Sequence, residues 1–306
     1  MPLIRPFSQP GRFWKGNLHT HSFNSDGTQS PEAVCAAYRE AGYDFIALTD
    51  HFEAHYNWPI TDTQPYRTPD FTTILGAEVH TMAMELGNVW HMVAVGLPLD
   101  FAPTQYEETG PQLAARALQA GAYVAAAHPQ WHAMTENDML ALGDVHAVEI
   151  YNGSCAGDND SAESSYMLDL MLMRGKRFTA LATDDAHFIP SGRDRFLGWV
   201  HVKSESLEPD ALLAALKNGD YYSSTGPAIY AIDVVPQEKV TVRCSPALHI
   251  FLMGRPPEAV HSTRDGITEA EFSLRDWRSP YCRVMVRDEA NRKAWSNPIW
   301  FDTLTG

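Results

Sequence analysis

The amino-acid sequence predicts an α/β fold: a parallel sheet with helices outside it, followed by a small antiparallel β unit. Three observations carry that expectation. Short apolar runs alternate with amphipathic stretches over most of the chain. Several of those runs end in a residue able to bind a metal. After about Pro227 the helical periodicity stops, and short strand-like pieces separated by Pro, Gly and charged turns take over.

The first element is "GNLHTHSFNSDGT". A strand alternates faces with period two, so His19 and His21 point the same way, with Thr20 opposite. "SDG" marks a turn. "SPEAVCAAYREAGY" then predicts a helix with Ser30 as N-cap, Pro31 at the first helical position and Gly42 at its end. "DFIALTDH", "TTILGAEVH" and "VWHMVAVGLP" read as strands. "GPQLAARALQAGA" predicts a helix before the strand "YVAAAHP", and "TENDMLAL" a short helix before "AVEIYNG". "SAESSYMLDLMLMRGK" is a helix whose Met stripe is packing, followed by the strand "FTALATDDAH". "EPDALLAALKNGD" closes the series. The later pieces "YAIDVV", "KVTVRCS", "LHIFLMG", "AEFSL" and "YCRVMVRD" carry no helical pattern.

In a parallel barrel the C-terminal strand ends gather on one face. His19 and His21 end the first run, His51 the second and Glu78 the third. His128 and the Asp185/His187 pair end later ones, while His91 lies nearer the start of its run. With Asp26 these make nine candidate ligands. Their nitrogen and carboxylate donors, without cysteine, suit Zn, Mn or Fe. Nine exceed the needs of one ion and imply two or three, with Glu78 as a bridge.

With 306 residues, 44% of them hydrophobic, the chain can bury a sizeable core. Its formal charge of -15 argues against a long nucleic acid as partner. The four cysteines, Cys35, Cys155, Cys244 and Cys282, are scattered and form no Cys-x-x-Cys pair. No apolar run approaches the roughly 18 residues of a membrane span. The expectation is a soluble cytoplasmic protein with reduced thiols, of open oligomeric state.

"HTHSFNSDG", "LTDH", "GAEVH", "AAHP" and "TDDAH", in that order over residues 17 to 187, resemble the motif series of the PHP (polymerase and histidinol phosphatase) metallohydrolases. The resemblance implies a distorted (β/α)7 barrel over residues 1–228, with residues 229–306 as the small β-rich domain. It implies one ion on His19, His21, Glu78 and Asp185, and a second on Glu78, His91 and His128. A third would take Asp26, His51 and His187. The family's Asp-x-His spacing selects Asp185 over Asp184. "WKGNLHTHS", "YYSSTGP" and "RKAWSNPIWFD" are similar to the carbaryl-hydrolase-like branch, which includes enzymes that cleave a carbamate ester.

The function these features imply is hydrolysis of a small phosphoester by metal-activated water, with Glu78, Asp185 and His187 as the catalytic candidates. The alternative is a carboxylic or carbamate ester, for which Trp58, Trp90 and Trp131 would supply an aromatic pocket. A third reading is a non-catalytic metal-binding module. Arg193 and Arg195, in "IPSGRDRFLGW", suit recognition of an anion. Tyr151 and Asn152 end the "VEIYN" strand and complete the substrate-binding candidates. His80 and His132 lie beside ligand motifs and either face the pocket or pack ordinarily.

Overall fold

The computed structural model describes residues 5–302, so residues 1–4 and 303–306 of the two expected units lie outside the described residues. In chain order the first part contains β1 (Arg12–Asn17), α1 (Pro31–Glu40), β2 (Phe45–Leu48), β3 (His51–Phe52), β4 (Thr72–Ala83) and β5 (Val89–Val95). Next come α2 (Gly110–Gln119), β6 (Tyr123–Ala126), α3 (Glu136–Ala141), β7 (Ala147–Asn152), α4 (Gly153–Asp158), α5 (Ser165–Met173) and β8 (Thr179–Thr183). β9 (Trp199–Ser204), α6 (Pro209–Asn218) and β10 (Tyr221–Ser224) follow. The remainder is β11 (Ile229–Val235), β12 (Lys239–Met253), β13 (Ala259–Ser273), β14 (Tyr281–Arg287), β15 (Lys293–Ser296) and β16 (Ile299–Trp300).

The helices start where local chemistry supplies caps. Ser30 accepts a hydrogen bond from the Ala33 amide, Pro31 opens α1, and Val34, Cys35 and Tyr38 form its buried face. Thr109 and Gln112 form a reciprocal capping box on α2. In α5, Leu168, Met171 and Leu172 are buried at helical spacing; of the Met stripe, Met171 is core, Met167 packs against it and Met173 is exposed. The six-residue α4 has no apolar period to announce it; the Asn152 side chain caps it by accepting from the Cys155 amide.

One sheet runs β11-β12-β14-β15-β10-β9-β1-β2-β4-β5-β6-β7-β8. The expected all-parallel arrangement is corrected. The β1–β2, β2–β4, β6–β7 and β7–β8 pairs are parallel, but β5 runs antiparallel to both β4 and β6. β9 is likewise antiparallel to β1 and β10. The short connection from β4 to β5 explains the first reversal, because a parallel pair needs a crossover of a dozen or more residues.

Among the described residues no backbone ladder joins β8 to a strand other than β7 and closes the sheet. The free edge of β8 meets side chains instead. The Ala182 amide donates to Ser223 Oγ at 2.9 Å, and that hydroxyl donates to the Ala180 carbonyl at 2.7 Å. The Ala180 amide donates to Asn297 Oδ1 at 2.9 Å. Buried backbone groups need partners, and here side chains supply them.

The strands after residue 228 are antiparallel, with a core of their own that includes Val240, Ile250, Leu252, Val284 and Val286. "KVTVRCS" and "LHIFLMG" form one long strand, β12, with irregular pairing near Ala247. This part is continuous with the rest. β15 pairs with β10, and Tyr281 and Trp295 are buried in the same core as Val79, Met92 and Leu113. No described helix is long and apolar enough to cross a membrane.

Candidate metal centre

Backbone pairing brings the candidate residues to one end of the sheet. β1 stops at Asn17, so His19 and His21 lie just past the strand rather than on it. There the chain pairs with residues 185–186: Asp185 N donates to His19 O at 2.9 Å, and His21 N to Ala186 O at 2.8 Å. Glu78 lies within β4, but β2 ends opposite Leu75, so Glu78 extends beyond its neighbour. β3 sets His51 directly across from Glu78. Because β5 is antiparallel, the start of that strand reaches the same end as the others' ends. This explains why His91 is early in its run, paired across from His80. Gly27 permits the turn that carries Asp26: a side chain there would meet His21 O at 2.6 Å.

All nine candidate ligands converge. Six imidazoles approach the fully buried Glu78 carboxylate: His51 at 2.7 Å, His91 at 2.9 Å, His128 at 3.1 Å, His80 at 3.3 Å, His19 at 3.5 Å and His21 at 3.8 Å. Asp185 Oδ1 is 2.9 Å from His21 Nε2 and 3.2 Å from His19 Nε2. Asp26 Oδ2 lies 3.3 Å from His51 Nε2 and 3.4 Å from His187 Nε2. His80 and His132 join the cluster. Burial pushes the Glu78 carboxyl up, but His91, His51, His19 and His80 outweigh it and hold the group well below the usual carboxylate range. Burial, aided by His128 and His91, lowers His132 to about 2.

A second layer of buried groups holds the first. Glu149, not anticipated from the sequence, is completely buried behind His19. Its Oε1 accepts from His19 Nδ1 at 2.9 Å and from the Thr183 hydroxyl, and its Oε2 accepts from the His128 amide at 2.7 Å and from Asn152 Nδ2 at 3.0 Å. A carboxylate acceptor fixes the His19 proton on Nδ1 and leaves the Nε2 lone pair facing the cluster. His187 Nδ1 is tied to the Asp185 carbonyl at 2.8 Å, with the same effect. The signal for Glu149 was a lone carboxylate between Val148 and Ile150 in an apolar strand.

Asp184 and Asp185 separate cleanly. Asp184 accepts from the Tyr38 hydroxyl and from the amides of Phe196, Leu197 and Gly198, so it holds a loop and faces away. Only Asp185 enters the cluster.

A bulge in β7 between Glu149 and Tyr151 breaks the alternation and places the two strand-end candidates differently. Asn152 is buried, its amide donating to Glu149 and to Asp185 Oδ2 at 3.0 Å. Tyr151 packs against Trp295. The Arg195 guanidinium lies over Phe188 and 3.6 Å from Asp194, and it does not line the cavity above the cluster. Arg193 lines that cavity and makes no ion pair among the described residues. Of the three tryptophans, only Trp131 lines it. Trp90 is core, and Trp58 packs against that core.

The cavity has a volume of about 550 Å³, lined also by Asp26, His51, Glu78, His187 and Asp158. Whether its floor suits a metal is answered by atoms that nothing else explains. His128 Nδ1 and both ring nitrogens of His132 are buried without hydrogen-bond partners, and His19 Nε2 and Glu78 Oε2 face Asp185 and His51 without hydrogen-bond geometry. These donors belong to sulfur-free groups of three or four residues, each with its ligand atoms within 4.8 Å of one another, and such groups fit divalent ions.

Fold and site together define an α/β protein with a histidine- and carboxylate-floored cavity. Residues 17–148 match the family model of the PHP domain. Among solved structures, the chain is similar to a two-domain protein from Bacteroides vulgatus described as containing a predicted PHP-like metal-dependent phosphoesterase. The TM-score is 0.54 at 17% identity, covering 92% of this chain and 93% of that one. An amidohydrolase from Chromobacterium violaceum, with bound sulfate and no metal, aligns at a TM-score of 0.46 and 14% identity, covering 59% of this chain and 90% of that one. Among curated proteins none matches the chain.

Proposed function

We propose that the chain is a metal-dependent hydrolase of a small phosphoester, carrying two or three Zn, Mn or Fe ions. The observation that carries this reading is the convergence of His51, His91, His128, His187, Asp26, Glu78 and Asp185 on one cavity floor, with the buried His19 and His21 grouped with them beneath it. His19, His21, Glu78 and Asp185 would hold one ion, Glu78, His91 and His128 a second, and Asp26, His51 and His187 a third. Bound ions supply a more acidic water and positive charge at the reacting centre.

The rest is the work of this chain's own residues. Glu149 keeps the proton of His19 on Nδ1. Asp194 accepts from the amides of His187 and Ile189, holding the loop that carries Arg193 over the cavity. Arg193 binds the non-bridging oxygens of an anionic substrate. Trp131, its Nε1 donating to Asp158 at 2.8 Å, forms one wall of the cavity beside His128. The volume suits a small molecule and not a polymer. An unpaired arginine with a single tryptophan favours the phosphoester over the carbamate ester that the carbaryl-hydrolase-like resemblance implies. In this reading residues 229–306 form a supporting unit without ligands. The four free cysteines, all buried, accord with a cytoplasmic setting.

The test is a screen of metal-loaded protein against phosphomonoesters, phosphodiesters, neutral aryl esters and carbamates. Phosphoester turnover that a chelator abolishes and added metal restores is the expected result. Turnover of neutral esters alone would overturn the assignment.

A further inference from the structure

The nine-residue ligand set leaves His132 unexplained. This residue lies in the turn after β6, four positions beyond His128. There Trp131 N donates to His128 O at 3.0 Å and Met134 N to Pro129 O at 2.9 Å. Asn88 Nδ2 donates to the His132 carbonyl at 2.7 Å and ties the turn to the β4–β5 connection. The imidazole is only 5% exposed, and neither ring nitrogen has a hydrogen-bond partner. A buried polar atom without a partner costs about 1–3 kcal/mol. Ordinary core histidines escape that cost by bonding to a carbonyl, a hydroxyl or a carboxylate. His132 instead turns toward two other rings, its centroid 4.9 Å from that of His128 and 5.2 Å from that of His91. One nitrogen from each of the three rings lies within 4.8 Å of the other two.

We propose that His132 is a metal ligand, completing with Glu78, His91 and His128 a four-residue site at the edge of the cavity floor. The proposal rests on the reading of that floor as a metal centre. Its consequence is a division of labour. Three imidazoles and a carboxylate fill a tetrahedral coordination sphere, as in sites that serve structure. Open positions for water and substrate then belong to the ions on the Asp185 and Asp26 sides. The four-ligand ion is accordingly the most tightly held.

The experiment is a Zn²⁺ titration of metal-free protein in competition with a chromophoric chelator, run on the wild type, His132→Ala and His132→Gln. Far-UV circular dichroism monitors folding. The expected result is one ion per chain weakened by about tenfold or more in both variants, the others unchanged. Added imidazole should restore that ion in the alanine variant, where it can fill the vacated space. Affinities within about twofold of wild type for every ion would overturn the proposal and leave the metal centre standing. Equal weakening of all ions without imidazole rescue would also overturn it. A wild type that binds no zinc would remove the metal reading itself. Should both variants unfold, a crystal structure of the zinc-loaded wild type decides: an ion at about 2.0–2.1 Å from a His132 nitrogen supports the assignment, and an ion that passes it by refutes it.

Discussion

Glu149→Gln is the most informative single change, because it alters charge and donor count while leaving volume almost untouched. The native carboxylate accepts four hydrogen bonds and donates none. Glutamine offers one oxygen and one NH₂ group. With its oxygen toward His19 and Thr183, the NH₂ meets the His128 amide and Asn152 Nδ2, donor against donor. Two buried donors lose their acceptor, at about 1–3 kcal/mol each, so the metal-free protein should lose about 2–6 kcal/mol of stability. Flipped, the amide NH₂ faces His19 Nδ1 and drives the imidazole proton to Nε2, which blocks the lone pair aimed at the cluster. Either arrangement should weaken zinc at the His19 site by about 10–100-fold. Urea unfolding of the metal-free protein and zinc competition measure the two effects separately. Stability within about 0.5 kcal/mol of wild type together with unchanged zinc affinity would refute the positioning role.

Glu78→Gln should lower the content of at least two ions and His187→Asn that of one only, as elemental analysis after purification without chelator would record; equal losses would reject a bridging Glu78. Arg193→Ala should reduce turnover of an anionic phosphoester by about tenfold or more, roughly 1.4 kcal/mol, whereas Arg195→Ala should change it little. A dominant effect of Arg195 would contradict the cavity assignment. His201 is a pH reporter: burial, with Lys15 nearby, lowers it to about 4, and its Nε2 accepts from Trp199 Nε1. The unfolded chain takes up this proton near pH ~6.5 and the folded chain only near pH ~4, so stability falls as pH drops between them, by up to about 3 kcal/mol. Urea unfolding of metal-free protein should show a shallower acid decline for His201→Gln, and an identical decline would show that His201 does not titrate in this way.

Much of the floor was legible because its residues fall where local rules are strong. His19 and His21 share a face by period two, and Ser30-Pro31 announces α1. What stayed hidden depended on long-range geometry. The position of His91 made sense only once β5 was seen to reverse. Glu149 reaches the cluster and Tyr151 packs against Trp295 because one bulge shifts the phase of β7, and no local pattern in "VEIYN" encodes a bulge. Asp184 and Asp185 are chemically identical neighbours, told apart only by Tyr38 and the 196–198 amides arriving from elsewhere. Arg193 and Arg195 are two residues apart, yet the loop held by Asp194 sends just one over the cavity.

The side-chain contacts along β8 bear on how the molecule can be taken apart. Asn297 directly follows β15. Its Oδ1 holds the Ala180 amide, and its Nδ2 donates to the carbonyls of Gly219 and Tyr221. It therefore rivets β8, whose continuation carries Asp185 and His187, to the strand that begins at Tyr221. A protease that trims the chain back past Asn297 removes no candidate ligand, yet it draws the pin from the wall on which two of them stand. The Ala180 amide, which the pin caps, should be among the first to exchange faster after such trimming.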